Sequence, residues 1–105
     1  MELLPLGTVV ALNNSNGYMM ISGYCPTSPA RPGYVYDYSG FPYPAGYMDT
    51  TKIYQFNDDD IDKLIFMGLQ DRETVNYTKY VSSIIDEVKE KTAARFSPDA
   101  KKDEE

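Results

Sequence analysis

The sequence predicts one α+β domain: a small antiparallel sheet of five strands, or an open barrel, with a C-terminal amphipathic helix. Three observations point there. Short runs rich in Tyr, Val and Ile, punctuated by Asn, Gly and Pro, fill the first two-thirds of the chain. The acidic segment around Asp60-Ile61-Asp62-Lys63 reads as a single helical turn feeding the apolar run Leu64–Leu69. After Asp71, apolar residues recur at spacings of three and four. Residues 1–96 are expected to form the domain, and 97–105 a charged, flexible tail.

The elements follow in order. Leu6–Leu12 reads as the first strand, with Leu6, Thr8, Val10 and Leu12 sharing one face. Asn13–Gly17 is a turn, because Asn and Gly tolerate positive φ. Tyr18–Tyr24 pairs back as the second strand. Cys25–Gly33 carries Pro26, Pro29 and Pro32 and reads as a stiff loop. Within it, Pro29-Ala30-Arg31-Pro32 has the spacing of a ligand for aromatic-groove domains. Tyr34–Tyr38 is the expected third strand, with tyrosines 34, 36 and 38 on one face. Pro42 and Pro44 then forbid a central strand; an edge strand, or a bulge and turn, fits instead. Lys52–Phe56 is the fourth strand. Asn57 or Asp58 caps the helical turn, and Leu64–Leu69 is the fifth strand. Strand, helical turn, strand is how SH3-like barrels commonly close, so the sheet is expected to be SH3-like by analogy. Asp71 caps a helix over Arg72–Arg95, with Tyr77, Val81, Ile84, Ile85 and Val88 as its apolar stripe. That stripe packs on its own sheet or docks on a partner.

Composition narrows the function. The net charge of −6 repels phosphate backbones, so no nucleic-acid partner is expected. With no histidine and one cysteine, zinc sites of Cys and His and nucleophile–histidine pairs are excluded. Cys25 is expected to be a reduced thiol in a loop. No run approaches the about 20 apolar residues that cross a bilayer, and the N-terminus has no signal-peptide pattern. A cytoplasmic protein without membrane insertion is expected. The acids at Asp58–Asp62 fail as a calcium loop, because Lys63 and Leu69 fall where Gly and Glu are needed. No metal or cofactor is expected. Asp37, the one acid amid the tyrosines, is expected to satisfy a neighbouring tyrosine or turn; an enzyme acting through it is the outlying alternative.

Taken in order, several motifs resemble a known family. They are Leu4-Pro5-Leu6-Gly7-Thr8-Val9-Val10, Met19-Met20-Ile21-Ser22-Gly23, Tyr36-Asp37-Tyr38-Ser39-Gly40, Tyr43-Pro44-Ala45-Gly46 and Phe56-Asn57, then Asp60–Asp71. The family is domain of unknown function 4176, small cytosolic proteins of Gram-positive type VII secretion loci that encode LXG toxins. The resemblance implies a non-enzymatic accessory protein, a targeting adaptor or chaperone. Its implied partner is an LXG-type toxin in the cytosol, with small helical WXG-like proteins. An immunity-like or regulatory binder of a toxin domain is the alternative.

Two surfaces can carry such binding. One is an aromatic edge at Tyr36, Tyr38, Phe41, Tyr43 and Tyr47. The other is the helix stripe at Val81, Ile84, Ile85 and Val88.

Overall fold

The computed structural model describes residues 2–96, with side chains through Lys91; the tail expected at 97–105 lies outside the described residues. The strands are β1 (Val9–Leu12), β2 (Tyr18–Tyr24), β3 (Tyr38–Tyr43), β4 (Tyr54–Phe56) and β5 (Ile61–Phe66), followed by helix α1 (Arg72–Phe96). The strands form one open antiparallel sheet in the order β4-β3-β2-β1-β5. The last strand thus returns to pair with the first, and the open sheet with its C-terminal helix is the expected α+β arrangement.

Several boundaries differ from the sequence expectation. β1 begins at Val9, not Leu6, because Gly7 adopts φ 84° and Thr8 N–H bonds back to Pro5 O in a turn. Tyr34–Asp37 is not a strand. A single bridge joins Thr27 to Val35, and the Asp37 N–H donates to the Asn57 side chain instead of a ladder. β3 runs through Pro42. β4 pairs only with Tyr38–Gly40, so the missing Pro42 N–H falls on a side with no neighbouring strand. There Pro42 O accepts from Gly46 N at 2.7 Å. Lys52 ends a 3₁₀ turn (Thr50–Lys52) capped by Asp49, so β4 starts two residues later. The helical turn before β5 is Asp58–Asp60, and the strand begins at Ile61. Asp60 fixes that turn by accepting from Asn57 N–H at 2.8 Å. Pro29–Pro32 folds into turns, with Arg31 stacked 3.9 Å over the Tyr34 ring, so it is not an extended ligand.

Register assigns the two faces. Val10 pairs with Met19 and Leu64, and Ile21 with Gly40; these point toward the helix. The core joins Leu3, Val10, Ile21, Tyr38 and Phe56 to Val81 and Ile85 of α1. The helix therefore packs on its own sheet. Its first turn is capped as expected, with Asp71 Oδ1 accepting from Thr74 N at 2.8 Å.

Thr8 anchors the strand that follows it to the exit of β5. It is fully buried, and its Oγ1 accepts from Gly68 N at 3.0 Å. Gly68 lies so close that a Cβ there would strike the Leu6 carbonyl oxygen. Backbone cannot swing aside like a side-chain tip. Gly68→Ala is expected to cost about 2 kcal/mol, read as a lower denaturant midpoint with unchanged slope.

Candidate docking surface

The face of the sheet turned away from α1 has no covering layer among the described residues. Its ladder positions are Val9 and Ala11 of β1, Tyr18 and Met20 of β2, Ser39, Phe41 and Tyr43 of β3, Gln55 of β4, and Lys63 and Phe66 of β5. Lys63 is the one ionisable charge among these positions. No carboxylate occupies any of them, although the chain carries a net charge of −6. An apolar centre depleted of charge is the composition of a protein contact rather than of ordinary surface.

The centre of this face is aromatic. Tyr18 pairs with Tyr43, Met20 with Phe41, and Val9 with Phe66. Val9, Tyr18, Met20, Tyr43, Ile65 and Phe66 line a shallow depression of about 260 Å³. Phe66 is 62% exposed and Tyr43 45% exposed, which is costly for rings with no partner. The β5 edge beside them is bulged at Asp62 and at Ile65. Bulges break the row of open backbone groups, so the edge is poorly suited to accept another strand. The face remains.

The predicted site residues separate. Phe41 and Tyr43 stand on the outer face. Tyr47 is exposed in the loop after β3. Tyr36 is half-buried, its ring edge-on to Tyr34 at 4.8 Å. Tyr38, Val81 and Ile85 are core residues with little or no exposed surface, so they present nothing to a partner. Ile84 and Val88 are half-buried. Tyr18, Met20, Ile65 and Phe66 are the members that the sequence reading missed. Strand alternation does place Tyr18 and Met20 on one face, but it cannot say which face the helix leaves open.

Asp37 is occupied. It is buried, Lys89 Nζ lies 2.6 Å from its Oδ1, and its Oδ2 accepts from Asp58 N at 2.8 Å. Lys89 Nζ also donates to Asn57 Oδ1 at 2.9 Å, and Asn57 Nδ2 donates to Tyr34 OH at 3.0 Å. This clamp ties α1 to the loops before β3 and β5. Nearby, burial raises the Cys25 thiol above its ordinary value, and the Asp37 charge adds to the shift. Both effects oppose the reactive thiolate. Among the described residues, no group of three or more Cys, Asp or Glu is placed to hold a metal ion, and no helix is long and apolar enough to cross a membrane.

Two tyrosines tie down the N-terminal segment. Tyr24 OH donates to Leu4 O at 2.6 Å, and Leu4 N donates to Tyr38 OH at 3.0 Å. Burial pushes the Tyr24 hydroxyl up to about 12, with neighbouring Tyr77 adding to it. Burial also raises Tyr38. Folded protein thus holds these protons to higher pH than unfolded chain does. Their contribution is complete below the ordinary tyrosine value of about 10 and is lost as pH climbs through the folded value. Denaturant titrations are expected to show stability falling from about pH 10 upward, with a shallower fall in Tyr38→Phe.

Residues 3–77 match the family described as a domain of unknown function (DUF4176). No curated protein and no solved structure matches the chain. The matched segment contains all five strands, both faces of the sheet and the opening turns of α1, so the chain belongs to the DUF4176 family.

Proposed function

We propose that this protein is a non-enzymatic adaptor or chaperone that docks through the outer face of its sheet on an LXG-type toxin. Docking takes place in the cytosol, ahead of export by type VII secretion. Small helical WXG-like proteins are the further members of the complex. The observation that carries the reading is the uncovered aromatic face, whose paired ladder positions hold no carboxylate on an acidic chain. Acids placed elsewhere keep the free protein soluble, while the apolar centre stays available for burial. The toxin assignment rests on the family resemblance. The acid that an enzyme would need, Asp37, is engaged on both oxygens, which favours a binding role.

Co-expression with the two halves of the toxin, each made separately, tests the reading. Co-purification with the export half is expected. Capture by the toxic half alone would make the protein an immunity-like binder, and capture by neither half would overturn the proposal. Tyr43 is exposed, so Tyr43→Ala is expected to leave the circular dichroism spectrum unchanged. In calorimetry it is expected to weaken toxin binding by about thirtyfold, the equivalent of about 2 kcal/mol.

A further inference from the structure

A second depression runs beside the first turns of α1, on the helix side of the sheet and therefore opposite the outer face. It consists of two adjoining hollows that share Leu6, Tyr24 and Tyr77; Leu69 and Glu73 line the first, and Tyr80 lines the second. The part next to Glu73 measures about 490 Å³. Tyr77 and Tyr80 lie one helical turn apart and are 57% and 63% exposed. The Tyr24 ring centre is 6.3 Å from that of Tyr77. Tyr24 and Tyr77 thus form one aromatic pair, with Tyr80 exposed one helical turn beyond.

The lining mixes rings with hydroxyls: Thr74 stands beside the tyrosines, while the Thr78 hydroxyl is spent on Val75 O at 3.1 Å. That mixture selects an occupant. An amphipathic helix would offer apolar side chains, but its backbone is already hydrogen-bonded within itself. A proline-rich segment in the polyproline II conformation offers flat rings to sit between aromatic ridges. Its backbone carbonyls are all unpaired, so the hydroxyls of Tyr77 and Tyr80 can donate to them. The Glu73 carboxylate adds a charge preference for a basic residue beside the prolines. We infer that this groove binds a proline-rich segment of another polypeptide, with an arginine or lysine next to its prolines. The chain's own Pro29-Ala30-Arg31-Pro32 is not that segment, because it is folded into turns with Arg31 on Tyr34. The site does not depend on the outer face; both can be filled at once, which suits a bridging protein.

The test is an NMR titration of the full chain with the synthetic peptide Arg-Ala-Leu-Pro-Pro-Leu-Pro. Saturable shifts are expected at Tyr24 and at Glu73–Tyr80, leaving Met20 and Phe66 unmoved. Tyr80→Ala is expected to weaken binding by about tenfold with the circular dichroism spectrum intact. Glu73→Gln is expected to weaken the arginine peptide by about threefold and to leave unchanged a peptide with Gln in place of Arg. No saturable shift, an affinity indifferent to Tyr80→Ala, or tighter binding of an amphipathic helical peptide to the same residues would each overturn the inference.

Discussion

Replacing Lys89 with methionine is expected to remove about 3 kcal/mol of stability. Among the described residues, Lys89 is the cation paired with Asp37, a carboxylate with almost no exposed surface, at 2.6 Å. Without it, the charge stays buried with the backbone N–H of Asp58 as its hydrogen-bond donor among the described residues. Asn57 Oδ1 also loses a donor, while it keeps the Asp37 N–H. Domains are stable by about 5–15 kcal/mol in all, so the loss is a large share. It corresponds to a drop in Tm of about 15 °C. The double variant Asp37→Asn with Lys89→Met removes the stranded charge and is expected to recover part of the loss. Equal stability of Lys89→Met and the unsubstituted chain would show that the clamp is idle.

Ile85→Ala is expected to cost a similar amount, about 3 kcal/mol, by a different route. Ile85 is fully buried and is the point where α1 meets Val10, Ile21, Tyr38 and Phe56. Truncation leaves a void between a helix and a sheet that cannot close without moving one of them. The effect is expected to be largely independent of pH, whereas any loss at Lys89 involves a charge. Ile84→Ala, one position along and half-buried, is expected to cost clearly less. Denaturant midpoints of the two variants measure the contrast. Equal losses would mean that the helix is rotated about its axis, away from the orientation that buries Ile85 and leaves Ile84 half-buried.

Much of the fold was legible because its elements carry local signals. Asn13–Gly17 supplies the turn, Asp71 supplies the helix cap, and the stripe Val81–Ile85 supplies the packing face. The errors share a cause. Tyr34–Tyr38 alternates like a strand, yet the decisive partner of Asp37 is Lys89, which is distant in sequence. No local pattern reveals that an acid will be drawn inward. Pro42 excludes a central strand position, and the structure meets that by leaving Pro42 on an edge, because β4 is too short to reach it. The aromatic edge was half legible. Phe41 and Tyr43 follow from alternation, but Phe66 joins them only through the bulge at Ile65, which resets the alternation of β5. Tyrosine tolerates both settings, so residue type alone does not reveal that Tyr38 is buried; its hydroxyl is satisfied inside by Leu4 N–H and Asp58.

Met19 and Met20 sit side by side in β2 on opposite faces of the sheet, Met19 toward the helix and Met20 toward the uncovered side. Their methyl resonances can therefore be read before and after addition of the export half of the toxin. The account predicts that the Met20 methyl shifts or broadens on binding while that of Met19 stays in place. A complex that moves Met19 and leaves Met20 untouched would contradict it.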